Sequence, residues 1–126
     1  MMKFYFFVIL SLIAIGFISC NSDLPIPNNI NIVGRWIARD IADTLTFDSN
    51  TGVVYHSNAS FHNEQYQYQL KGDSITLIYA SSEDYYSPPT THLYYMNKEY
   101  LSIDFKNAKC YGFPQKVINY LRFNNN

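Results

Sequence analysis

From residue 30 onward the chain alternates apolar and polar positions in short runs broken by turn-forming residues. In 43–48, Leu45 and Phe47 alternate with Thr44 and Thr46, and in 52–57 the apolar positions are Val53 and Tyr55. The run 64–70 sets Tyr66, Tyr68 and Leu70 against Gln65, Gln67 and Gln69. Ile75, Leu77 and Tyr79 oppose Thr76 and Ile78 in 74–80, and Leu101, Ile103 and Phe105 oppose Ser102 and Asp104 in 99–105. A period of two belongs to strands with one buried and one wet face. The stretches 31–40, 92–96 and 116–123 bring the candidates to eight strands.

The connectors fit hairpins. Asp48-Ser49-Asn50-Thr51-Gly52, Lys71-Gly72-Asp73 and Asn97-Lys98 are short and carry Gly or Asn, which tolerate positive φ. Eight hairpin-linked strands predict an all-β, antiparallel up-and-down meander that closes, fully or partly, into a barrel. Two longer loops interrupt it, at 81–91 with Pro88-Pro89 and at 106–115 with Cys110, Gly112 and Pro114. No stretch after residue 20 sustains a 3.6-residue period, so helices should be short or absent.

The N-terminus has a different character. Met1-Met2-Lys3 precedes an almost wholly apolar run from Phe4 to Phe17. That is the make-up of a secretory signal; a membrane span needs about 20 apolar residues. Phe17-Ile18-Ser19-Cys20 resembles the bacterial lipobox. The resemblance implies cleavage before Cys20, diacylglycerol on its thiol and a further acyl chain, such as palmitate, on the new amino group. Two or three chains anchor firmly where one does not. Residues 1–19 are thus expected to be a removed signal peptide and 20–29 a lipidated cysteine with a polar, two-proline tether. Residues 30–124 would form the folded domain. The alternatives are an uncleaved anchor and a soluble secreted chain. Asn21 in place of Asp favours the outer membrane, and Ser22-Asp23 resembles the serine/acidic export signal of surface lipoproteins in the Bacteroidota. The expected location is the cell envelope, lipid-anchored at the outer membrane, facing the periplasm or the surface.

Composition narrows the field. The chain of 126 residues carries 9 basic and 10 acidic residues, a net −1. No basic patch is available to neutralise phosphates, which argues against nucleic-acid binding. Twelve Tyr and nine Phe beside one Trp favour pleated, half-buried surfaces. With Cys20 assigned to lipid, Cys110 is left as a lone thiol, expected to be buried as a small hydrophobe.

Gly34-Arg35-Trp36 matches the Gly-x-Trp of the lipocalin first strand, and Tyr120-Leu121-Arg122-Phe123 places an arginine where the last lipocalin strand carries one. The chain resembles the small lipocalin-like lipoproteins of the Bacteroidota. The resemblance implies a barrel in which Arg122 packs over Trp36, with Gly34 as the third element of that motif, and a small hydrophobic or amphipathic ligand inside. The chain lacks the helix that normally follows the eighth lipocalin strand.

No constellation suggests an enzyme. His56, His62 and His92 do not pair at metal-ligand spacing and read as scattered surface residues, so no metal is expected. Glu83-Asp84 lies in a loop, where adjacent carboxylates would rarely flank one bond. No Gly-x-Ser-x-Gly elbow or phosphate-cradling glycine loop is present, and no cofactor is implied. The aromatic excess is the remaining functional signal. Tyr85, Tyr86, Tyr94, Tyr95 and Tyr111 lie in or beside the longer loops, and Tyr66 and Tyr68 face the interior. Tyr66, Tyr68, Tyr85, Tyr86, Tyr94 and Tyr95 are the candidate ligand-contacting residues. Two functions compete: a membrane-tethered monomer holding a small apolar ligand, and a structural or interaction lipoprotein with a filled core, working through its surface or loops. A cavity-free interior lined by Tyr and Phe rings would favour the second.

Overall fold

A computed structural model describes residues 31–49 and 51–125. The expected signal peptide, Cys20 and expected tether lie outside the described residues. Eight strands run in chain order: β1 Gly34–Ala38, β2 Asp43–Phe47, β3 Val53–Asn58, β4 Glu64–Lys71, β5 Ser74–Tyr79, β6 Thr90–Met96, β7 Tyr100–Asp104 and β8 Val117–Arg122. Each pairs antiparallel with the next, and β8 returns to β1, closing a barrel without a free edge. Among the described residues no helix is formed, and none could cross a membrane. The longer loops span 80–89 and 105–116.

An up-and-down barrel sorts its connections between two ends. The start of β1, the end of β8 and the turns β2–β3, β4–β5 and β6–β7 lie at one end, here end A. The β1–β2, β3–β4, β5–β6 and β7–β8 connections lie at the other, end B. The inward positions follow the expected alternation: Leu45 and Phe47, Ile75 and Leu77, Leu101 and Ile103 are all at most 3% exposed. Trp36, Tyr66, Phe105 and Tyr120 fill the space between opposing walls, each at most 1% exposed.

One strand reverses its expected facing. In β3 the inward residues are Val54 and His56, while Val53 and Tyr55 point outward and are half-buried. The run Val53-Val54-Tyr55 is apolar at both parities, and the register Val54↔Tyr66 and Phe47↔Val54 selects the parity that completes the core.

End A is closed by the chain's own termini. Gly34 has φ +124°, and a Cβ there would stand 3.2 Å from Arg122 Nη1. Glycine is therefore what lets the guanidinium approach the β1 backbone. Arg122 lies across the Trp36 ring, with its guanidinium carbon 4.1 Å from the ring centroid. Its Nη1 donates to Val33 O (2.8 Å), Nη2 to Asn31 O (2.6 Å) and Nε to Lys98 O (2.6 Å). Trp36 Nε1 donates to Ile32 O at 2.8 Å, so the buried indole leaves no unmet donor.

Candidate functional site

End B is built differently. Its floor is a polar group inside the barrel: Asp43 from the start of β2, His56 from β3 and Tyr120 from β8. All three are buried, Asp43 at 3% exposure and the other two at 0%. Asp43 Oδ2 lies 2.7 Å from His56 Nε2, and Asp43 Oδ1 accepts from the Tyr120 hydroxyl at 2.9 Å. Both carboxylate oxygens are engaged, which is the condition for keeping such a group out of water. A carboxylate accepts only, so His56 Nε2 carries a proton, and in the neutral imidazole Nδ1 is then the acceptor. That Nδ1 is buried and has no partner. Burial, together with the Asp43 carboxylate, pushes the Tyr120 hydroxyl well above its ordinary pKa.

The β7–β8 loop forms the lid. Phe113, 7% exposed, lies between two rings supplied by the barrel wall. His56 is 3.9 Å away at 16°, and Phe105 is 4.5 Å away at 12°. His92 meets Phe105 at 4.6 Å, tilted by 54°. The loop is tied down by Tyr66, whose hydroxyl donates to Tyr111 O at 2.5 Å, and by Asn58 Nδ2, which donates to Gly112 O at 3.2 Å. Gly112 has φ +84°, and a Cβ on it would meet Tyr66 Oη at 2.6 Å, so no other residue sits there without moving the loop. Cys110 is buried in the same loop, and burial raises its thiol pKa to about 11.

Above the lid, half-buried rings continue to the surface. Tyr111 meets Tyr85 at 4.5 Å, Tyr79 at 4.7 Å and Phe61 at 5.4 Å. These rings come from three of the four loops of end B and from the end of β5. The Tyr79 hydroxyl donates to Glu64 Oε2 at 2.6 Å, and that bond, aided by desolvation, raises the Tyr79 pKa to about 12. Tyr85 is 48% exposed and Tyr86 82%. The cluster is thus continuous from the buried His56 to open solvent.

The six tyrosines singled out from the sequence divide three ways. Tyr66, Tyr85 and Tyr86 belong to end B. Tyr68 and Tyr94 point into the barrel towards end A, with Tyr68 edge-on to Phe47 at 4.9 Å and the Tyr94 hydroxyl donating to Gly72 O at 3.3 Å. Tyr95 stands on the outer wall, 62% exposed. Tyr94 and Tyr95 therefore do not join the loop cluster: they follow the 80–89 loop in sequence, but β6 carries them to the opposite end. The histidines also depart from the surface reading. His62 alone is exposed, while His56 and His92 are interior, 0% and 3% exposed. His92 keeps Thr90 Oγ1 at 2.7 Å from its Nε2, and desolvation lowers its pKa, which favours the neutral form. Among the described residues no group of His, Cys, Asp and Glu could hold a metal ion.

Two depressions stand out, one on the outer wall and one at end A. A depression of about 340 Å³ is bordered by Leu93, Tyr95, Ser102, Asp104 and Val117, and one of about 150 Å³ by Gly72, Tyr94 and Met96. Comparison with family models, with curated proteins and with solved structures finds no match for this chain.

Proposed function

We propose that the chain is a non-enzymatic, lipid-anchored monomer of the bacterial outer membrane that works as an interaction module, presenting the aromatic end B to a partner in the envelope. The observation that carries this reading is the packed, loop-covered end B, with a half-exposed aromatic cluster above it. The topology supports it further, because the described chain starts at end A. An anchor at Cys20 would then hold end A towards the bilayer and leave end B free. The competing reading, a barrel holding a small apolar or amphipathic ligand, needs room that Trp36, Phe47, Phe105, Phe113 and Tyr120 occupy.

Two measurements test the proposal. Cys20→Ala should abolish lipid labelling and release the protein from membranes; unchanged fractionation would refute the anchor. A photo-reactive phenylalanine at position 86 should cross-link to an envelope component in intact cells, while the same probe at position 95 should not. Equal labelling from both positions, or none from 86, would remove end B as the working surface.

A further inference from the structure

End A is sealed inside, but its outer rim gathers most of the exposed apolar surface. Among the described residues, eight large apolar or aromatic side chains are exposed, and five of them, Leu70, Leu93, Tyr95, Leu121 and Phe123, stand around this end. The strand register places them. Leu70 and Leu93 flank the β4–β5 turn, where Tyr94 N donates to Asp73 O at 2.9 Å. Tyr95 leads to Tyr100 at the start of β7, their rings 6.4 Å apart, and Tyr100 pairs with Leu121 near the end of β8. Phe123 follows, its N–H donating to Arg35 O. Single exposed apolar residues need no explanation, but a run of them across β6, β7 and β8 does.

The same end is where the chain enters the described barrel. Arg122 Nη2 holds Asn31 O at 2.6 Å, beside the end of β8. Residues 21–30 separate Asn31 from Cys20, a span of at most about 40 Å. A lipid on Cys20 therefore keeps end A within that distance of the bilayer, and this rim is the apolar surface nearest the anchor. Charge is nearly even there. Arg35, Lys71 and Lys98 stand with Asp48, Asp73 and Glu99, while Arg122 is engaged in the seal. Arg35 lies over the Phe123 ring, 5.1 Å from its centroid, so a cation borders the apolar run. Exposed Leu, Phe and Tyr edged by long cationic side chains suit the headgroup region, where apolar bodies enter and charged tips stay wet.

We propose that this rim is a lipid-contacting surface, which seats the anchored barrel on the bilayer with Leu93, Tyr95, Leu121 and Phe123 at headgroup depth. The inference rests on the anchored reading above and adds a defined pose to it. The contact orients a barrel that the lipid retains; it does not retain the barrel alone, so removing the anchor still releases the protein. The pose turns end B, with Tyr85 and Tyr86, away from the membrane.

Single-site probes read this pose in the lipidated full chain on phosphatidylcholine vesicles. A fluorophore at Asn124→Cys, beside Phe123, should be quenched by brominated lipid several-fold more than one at Glu83→Cys, in the exposed β5–β6 loop. Cys110 is buried and stays unlabelled. The difference should persist in high salt, because apolar burial and not charge carries the contact. Leu121→Glu with Phe123→Glu should leave the protein on the vesicles while quenching at Asn124→Cys falls to the Glu83→Cys level. Both side chains are exposed, so the fold has little to lose, and the contrast between the two labelled sites stands without this variant. A parent that floats with the vesicles but is quenched equally and weakly at both sites overturns this inference and leaves the anchor standing. A parent that does not float at all overturns the anchored reading and this one together. A dimer in detergent that the double variant abolishes would assign the rim to a second copy and overturn the proposal as well.

Discussion

The two ends of the barrel solve the same problem with opposite chemistry. At end A a cation lies on an indole, and all of its visible partners are backbone carbonyls of the adjacent termini and of the β6–β7 turn. Every polar atom of Trp36 is met there, and the closure is short-range in space and made of main chain. At end B a carboxylate, an imidazole and a phenol are buried together, and the cover is the β7–β8 loop beyond Phe105, held to the wall by side-chain hydrogen bonds from Asn58, Tyr66 and Thr90. Two buried imidazole nitrogens there are unmet, the Nδ1 atoms of His56 and His92. End A is therefore a seal, with nothing left to gain from a ligand. End B is a polar floor under a loop, with two imidazole nitrogens unpaired and aromatic surface above it.

If end A is the seal, removing its centre should be the costliest single change in the molecule. Trp36→Ala takes away the largest fully buried side chain, the π face under Arg122 and the donor to Ile32. We expect a loss of about 3–5 kcal/mol in urea unfolding, a large fraction of the stability of a domain this small. A loss below about 1 kcal/mol would show that the barrel does not depend on this closure.

Alkali should attack from end B. Tyr66 and Tyr120 are raised mainly by burial, and Tyr79, raised to about 12, mainly by its bond to Glu64. In the unfolded chain these phenols ionise near pH 10. A folded pKa above the unfolded one means that their contribution is complete below pH 10 and is lost as pH rises through 10 towards 12. Tyrosinate absorbance should therefore appear in two phases, the later one coinciding with unfolding. A single phase near pH 10, with the fold intact, would contradict the buried placement of Tyr66 and Tyr120.

The polar floor should tolerate less damage than its small size suggests. Asp43→Ala strands two buried groups at once, His56 Nε2 and the Tyr120 hydroxyl. The expected cost is about 3 kcal/mol, and Asp43→Asn should recover part of it by still accepting from Tyr120. If Asp43→Ala proves neutral, the floor is wet and Asp43 does not hold His56 and Tyr120 in place.

How much of this contrast could be read from the chain depends on where each end's parts lie. The strands were legible because alternation is clean in 64–70 and survives in 74–80 and 99–105, where Ile78 and Tyr100 are the exceptions on the second parity. End A was legible because Gly34 and Trp36 are neighbours, although placing Arg122 on Trp36 needed a family resemblance. End B resisted for two physical reasons. Asp43 shares its parity with Leu45 and Phe47, yet an inward carboxylate is credible only with partners, and these lie 13 and 77 residues away. His56 sits in a strand with apolar residues at both parities, so neither facing was excluded and the polar reading turned it outward. Leu93-Tyr94-Tyr95-Met96 has the same ambiguity, and its nearness to a loop in sequence masked its place at the opposite end. Phe113 carries no periodic signal at all, because it belongs to a loop.

Arg122→Lys probes the seal more gently. Lysine keeps a charge over the indole but loses the planar fork that reaches Asn31, Val33 and Lys98 together. We expect about 1–2 kcal/mol of destabilisation, with the N-terminal residues from Asn31 exchanging amide protons faster. Retained protection at Val33 would mean that the strand pairing of β1 with β8 is sufficient on its own.

The smallest expected effect separates the two ends most directly. Tyr85 and Trp36 are both aromatic, but Tyr85 is half exposed and touches only other rim rings, at 4.5 Å and 5.8 Å. Contacts of that kind, half hydrated, leave little to lose, so Tyr85→Ala should cost less than about 1 kcal/mol. The same change removes much of the accessible face of the cluster, and cross-linking from position 86 should fall several-fold while the melting curve barely moves. A Tyr85→Ala variant that unfolds as readily as Trp36→Ala would make the rim a structural cap like the seal, and the exposed rings would then have been retained for stability and not for a partner.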